Sequence, residues 1–275
     1  MPVYYSTTTY RYPHEHMILF LTMTLVFLVI ALTATATVCL SAVFVAAMLA
    51  MSYYFTRSHH QALMRSAKQV NPASEPVLSE LAQAAALRLQ VEPVEIYITP
   101  SRAINAYTFG LASPKVVVLH SALYKVMDRD EMQFIIGHEL GHVKLGHTWL
   151  NSLVGGMAGI PSPYAAAALL YMAFRSWNRA CEYSADRAGL LACANPSKAV
   201  TALIKLHAGE FGRTQDGLER AVRKIEAEDD EWYSNLGELL STHPMIVRRI
   251  NQLRSYSASA EYRRLQSLID KNIQS

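Results

Sequence analysis

Charge is scarce in this chain, and one long stretch has none of it. Only 17% of the 275 residues are Asp, Glu, Lys or Arg, and residues 17–55 contain not one. Cysteine is almost as rare. Cys39, Cys181 and Cys193 form no C-x-x-C pair and one of them lies in the greasy stretch, which excludes a disulfide framework and points to reduced thiols. A net charge of +3 without a dense basic stripe gives no case for nucleic acid as a partner. No N-x-S/T acceptor survives, because Asn195 is followed by Pro196.

The uncharged run is too long to be one membrane helix. At about 1.5 Å per residue it would reach about 58 Å, against a hydrocarbon core of about 30 Å. Cut at its most polar point, "TATAT", it gives two apolar halves at 17–33 and 37–55, so the sequence predicts a transmembrane helical hairpin within an anchor spanning residues 1–57. A cleaved signal peptide competes for this segment, since Ala34-Thr35-Ala36 resembles a cleavage site. Only Arg11 precedes the run, however, and a second apolar stretch follows at once. Tyr4, Tyr5, Tyr10 and Tyr12 before the run, and Tyr53 and Tyr54 at its end, suit interfacial belts; Arg11 on one side and Arg57, Arg65 and Lys68 on the other place both ends in the cytoplasm.

Residues 58–275 turn amphipathic. "SEPVLSELAQAAALRLQ" predicts a helix capped by Ser74, with Pro76 in its first turn and Leu78, Leu81, Ala85 and Leu89 on one face. Three β-rich runs follow at 94–99, 104–109 and 115–120, and helical patterns dominate after residue 121. The fold class is therefore α+β, mostly helical with a small sheet. The stretch 150–174 is apolar but broken by Gly155-Gly156, Pro161 and Pro163. It is too short for two crossings and is expected to be an interfacial or re-entrant hairpin, or a lid.

The densest chemistry lies in "MDRDEMQFIIGHELGHVKLGH". Asp128, with Glu131 three residues on, makes a capping box that opens a helix. On that helix His138 and His142 sit four residues apart, about 40° around the axis, so both imidazoles reach one point, as a zinc ion requires. Glu139 stands beside them, placed to take a proton from metal-bound water. Gly141 lets another element approach closely. His147 is about 180° away on a continuous helix and joins the ion only if the helix breaks at Gly146, so it is expected at the surface or in a supporting role. The third ligand should be a carboxylate on a later helix. "SWNRACEYSADRAGLLA" offers Glu182, with Asp186 one turn on to accept from an imidazole N–H, and with Ala185 and Ala188 small enough for tight contact. Taken alone, Glu182 and Asp186 read more readily as a solvated acidic face paired with Arg179 and Arg187 than as a metal site.

Three stretches in order, "GHELGHVKLGH", "RACEYSADRAG" and "STHPMIVRRI", resemble the motifs of the HtpX-like membrane zinc metallopeptidases, the gluzincin family that includes the CAAX prenyl proteases. The resemblance implies one Zn2+ per chain on His138, His142 and Glu182, with Glu139 as general base and Asp186 as support. It places His243 and Arg249 near the active site, where the pair would hold the oxyanion of a tetrahedral intermediate. "NAYTFG" resembles the family's N-A-F strand, so Asn105, Ala106 and Tyr107 would bind substrate backbone along a free sheet edge; Tyr107 stands where phenylalanine is usual. A transmembrane pair is common in the family at 150–174, and the expectation above departs from it. The implied function is a membrane-anchored zinc endopeptidase acting on unfolded or membrane-associated polypeptide, in quality control or processing at a bacterial plasma membrane. CAAX-type cleavage would want a multi-span chamber. The competing class is a non-enzymatic membrane scaffold or chaperone-like factor, which has no need of Glu139. A homo-oligomer or membrane complex is compatible with either, with 150–174 as the contact surface.

Overall fold

A computed structural model describes residues 4–36, 40–92, 94–110, 115–150, 165–209 and 246–274, with a few positions between 214 and 223. Two long helices open the chain, α1 (Glu15–Ala36) and α2 (Leu40–Met64), and they touch one another. A short strand β1 (Lys68–Gln69), helix α3 (Pro76–Leu89) and strands β2 (Glu95–Thr99), β3 (Ala106–Phe109) and β4 (Val116–His120) follow. Then come α4 (Ser121–Val126), α5 (Arg129–Leu145), α6 (Ala165–Cys193), α7 (Pro196–Ala208), α8 (Ile246–Ala258) and α9 (Ala260–Gln274). The protein is mostly helical with a small mixed sheet, in the order β1-β2-β4-β3. β2 and β4 are parallel, with Tyr97 opposite Val118; β3 pairs antiparallel with β4, with Tyr107 opposite Val118. Among the described residues, β3 thus has one edge that no other strand covers. β1, too short to show a two-residue period, had no signal in the sequence.

Among the described residues, one helix is long and apolar enough to cross a membrane, over Glu15–Leu32. Its large side chains are bare, with Phe20 69% and Phe27 70% exposed. α1 stays helical through Ala36, so residues 33–36 of the expected "TATAT" turn are helical instead. α2 runs on to Met64, past Arg57, His59 and His60, so the expected boundary at residue 57 falls inside a continuous helix.

The tyrosines before the apolar run do not all form a belt. Tyr4 is exposed, but Tyr10 is wholly buried in the main core and Tyr12 packs against the ring of Tyr183, centroids 4.9 Å apart. The N-terminal segment is tied down by hydrogen bonds. Tyr12 N donates to Ser184 Oγ (2.7 Å), Arg187 Nη1 to Arg11 O (3.2 Å), and Arg11 Nη2 to Leu145 O (3.0 Å). Backbone groups that would otherwise be orphaned are thereby satisfied.

α3 buries Leu78, Leu81, Ala85 and Leu89, the face its spacing predicts. Its N-cap is Glu75 rather than Ser74, whose hydroxyl instead donates to Gln69 O (2.9 Å) in the preceding turn. From Ala165 the chain is one helix continuous with the motif "RACEYSADRAG". Residues 151–164 lie outside the described residues, as does most of 209–232.

The α5–α6 contact fixes everything that follows. A Cβ on Gly137 would stand 2.3 Å from Ala192 Cβ, and one on Gly141 would stand 2.6 Å from Ala188 Cβ and 3.4 Å from Ala185 Cα. The helices therefore meet nearly backbone to backbone along a seam of glycine and alanine, which brings short-armed donors from both within reach of one point.

Candidate metal centre

α5 begins on the capping box the sequence predicts. Asp128 Oδ1 accepts from Glu131 N (3.0 Å), and Glu131 Oε2 accepts from Asp128 N (2.8 Å). It ends at Gly146, whose φ of 78° is left-handed and unstrained only for glycine. Between these ends His138, Glu139 and His142 are all buried.

The two imidazoles aim their Nε2 atoms at one point, 3.2 Å apart. Glu182, from α6, faces both: Oε2 is 3.6 Å from His138 Nε2 and Oε1 is 3.5 Å from His142 Nε2. The three ligand atoms lie within 4.8 Å of one another. Two imidazoles and a carboxylate on rigid helices form a donor set that suits a divalent transition metal.

The ligands are themselves held. His138 Nδ1 is 3.0 Å from Asp186 Oδ1, which orients the ring. Arg249, from α8, grips both acids: Nε to Asp186 Oδ2 (2.8 Å), Nη2 to Asp186 Oδ1 (2.6 Å) and Nη1 to Glu182 Oε2 (3.1 Å). Burial works against ionised Glu182 and Asp186. The Arg249 guanidinium and the imidazoles overcome it, holding Glu182 well below the usual carboxylate range and lowering Asp186 as well. Both acids are thus kept charged for a cation.

Thr108, on β3, donates to Glu139 Oε2 at 2.6 Å. The sequence reading stopped at Asn105, Ala106 and Tyr107 and missed it, although alternation along the strand puts Ala106 and Thr108 on one face. Tyr107 and Phe109 take the other face, under α2, where His60 stacks on Phe109 with centroids 4.1 Å apart. Burial there pushes the Tyr107 hydroxyl up to about 12. Asn105 precedes the strand, and its carbonyl accepts from His120 N (3.0 Å).

His147 is neither a ligand nor a surface residue. The helix does break at Gly146, and the chain folds back so that His147 Nδ1 lies 3.0 Å from His142 Nδ1. It is 1% exposed, and burial pushes its pKa down to about 4, which keeps it neutral. His243 lies outside the described residues.

Residues 68–257, more than half of the chain, match peptidase family M48. Plastoglobule-localized metallopeptidase 48, a chloroplastic protein of Arabidopsis thaliana, is 31% identical over 64% of this chain and 56% of its own length. A protein named Protease HtpX homolog from Moorella thermoacetica is 27% identical over 81% of this chain and 85% of its own, and another from Desulfatibacillum aliphaticivorans is 28% identical over 69% and 72%. The chain spans just over half the length of the plant relative and most of the bacterial ones. Over a stretch that takes in both metal-centre helices and Arg249, then, the chain belongs to peptidase family M48, as an HtpX-like metallopeptidase.

Proposed function

We propose that this chain is a membrane-anchored zinc endopeptidase that cleaves extended, unfolded or membrane-associated polypeptide. The observation that carries the reading is the convergence of His138, His142 and Glu182 from two helices, with Glu139 beside them and a sheet edge alongside. A zinc ion held by His138, His142 and Glu182 would supply Lewis acidity toward the scissile carbonyl and would acidify water. Glu139 would take a proton from the attacking water and pass it to the leaving amine, with Thr108 fixing the carboxylate's orientation. The outer edge of β3 aligns substrate backbone by strand addition, with Asn105, Ala106 and Tyr107 as the register. Arg249, engaged by both carboxylates, secures Glu182 and Asp186, and His243 is retained as donor to the developing oxyanion.

α1 serves as a membrane span, and the apolar start of α2 as its return, so that both ends of the hairpin and the catalytic domain face the cytoplasm, as in a bacterial plasma membrane. A peptidase held against a bilayer meets misfolded membrane proteins first, which makes quality control its natural role. The scaffold reading gains no support from a site whose base is held by a 2.6 Å hydrogen bond.

Purified full-length protein should carry one equivalent of zinc and cleave casein. Glu139→Gln should keep the zinc and lose at least about 100-fold in turnover, the scale of general-base catalysis. Undiminished turnover in that variant would falsify the reading.

A further inference from the structure

His142 offers Nε2 to the metal, and the groups that hold its other nitrogen lead back to the membrane anchor. His147 N donates to His142 O (3.0 Å), and the two rings then meet Nδ1 to Nδ1 at 3.0 Å. Two facing ring nitrogens share one proton. His142 must keep Nε2 bare for a metal, so that proton sits on its own Nδ1 and His147 accepts it; the tautomers follow from the network. Because His147 accepts at Nδ1, its own proton is on Nε2, which faces Glu15 Oε1 at 3.1 Å. Glu15, in the first turn of α1, also accepts from Ser184 Oγ on α6 and from Arg11. Glu15, His147 and Ser184 are at most 2% exposed, and the ring of Trp177 closes over His147 edge-on, centroids 6.2 Å apart. Every member has a partner of the right sense, and the chain of bonds ends on a carboxylate carried by the anchor helix.

We propose that Glu15 and His147 are positioning residues of the metal centre: through His142 they fix the tautomer and rotation of a ligand, so that the membrane anchor is part of the active site. The proposal rests on the zinc peptidase reading. Such supporting partners are worth about 10–100-fold in metal affinity. Glu15, His147 and Cys181 also have ligand atoms within 4.8 Å of one another and could hold an ion of their own. Two features oppose that. Arg11 already places a cation on Glu15, and His147 Nε2 cannot both donate to Glu15 and ligate.

The test titrates zinc into metal-free, full-length protein in detergent, against a competing chelator, and compares the wild type with three variants. His147→Leu removes both bonds. His147→Gln keeps an acceptor and a donor. Arg11→Met with Glu15→Leu removes the ion pair as a unit, which avoids stranding a buried charge. Thermal melting of each metal-free protein reports folding separately. His147→Leu and the double variant should lose about 10–100-fold in zinc affinity, and His147→Gln should recover most of it. Wild-type affinity in folded His147→Leu or in the folded double variant overturns the proposal. Equal loss in His147→Gln and His147→Leu overturns it too, since packing alone would then explain both. Should His147→Leu fail to fold, the double variant decides. A second zinc equivalent that disappears in Cys181→Ser replaces the relay with a second ion and leaves the peptidase reading standing. A wild type that takes up no zinc at all brings down both.

Discussion

At the scale of single residues, Thr108 has the plainest consequence. Its hydroxyl is the side-chain donor to the Glu139 carboxylate, at 2.6 Å, and a hydrogen bond to a charged group is worth about 1.5–3 kcal/mol. Thr108→Val keeps the shape and removes the donor. It should lower kcat by about 10–100-fold while zinc content and KM stay near wild type, a split that steady-state kinetics with metal analysis would show; a fall in zinc content instead would make Thr108 a structural residue. The residues that sequence could assign, His138, Glu139 and His142, were legible because their relation is local: a spacing of four on one helix. Of the two places the sequence left open for His147, the surface and a supporting position, the structure excludes the surface: the chain turns at the left-handed Gly146 and buries the ring against His142. The tie from Arg11 and Glu15 to the centre gave no signal because its far ends, Leu145 and His147, lie more than 130 positions away. Arg249 was visible only through a motif resemblance, and burial against two acids turns it from a ligand for substrate charge into a clamp on protein charge.

At the scale of elements, the seam between α5 and α6 governs the geometry. Gly141→Ala would put a methyl 2.6 Å from Ala188 Cβ, too close for two carbons, and helix backbone has nowhere to yield. The helices must part, costing about 1–3 kcal/mol, and Glu182 withdraws from the imidazoles. The expected result is a lower Tm together with weaker zinc binding, whereas a change in Tm alone would mean the seam does not set the site. Gly141, Ala185 and Ala188 were readable in the sequence as small residues for close contact; the part of Gly137 and the pairing across two helices needed the structure. The cap of α5 gives a separate, pH-dependent prediction. Burial opposes ionised Asp128, but the Glu131 amide and Lys198 hold its pKa below the ordinary 3.8. A carboxyl depressed on folding stabilises above its unfolded pKa and loses that contribution as pH falls through the folded value. Asp128→Ala should therefore cost about 0.5–2 kcal/mol near neutrality, and its Tm gap to wild type should close as pH drops below 3.8. A gap that stays constant from pH 7 to pH 3 would show the cap bond to be of no account.

At the scale of the whole molecule, the metal centre draws on distant parts of the chain. The docked N-terminal segment supplies Arg11 and Glu15, α5 and α6 supply the three candidate ligands, and α8 supplies Arg249. Composition alone separated the greasy region from the amphipathic one, yet it could not show that the first is bonded into the second, because the contacts are few, polar and non-local. A chain stopped before residue 246 lacks the guanidinium that neutralises Glu182 and Asp186, and leaves both buried carboxylates uncompensated, which costs about 3–5 kcal/mol. Such a shortened chain should take up little or no zinc when titrated, and full zinc uptake would show the clamp to be dispensable.

The position of Arg249 also orders events during synthesis. A ribosome releases it after every other described member of the centre, so Glu182 and Asp186 go without their guanidinium partner until α8 has been made.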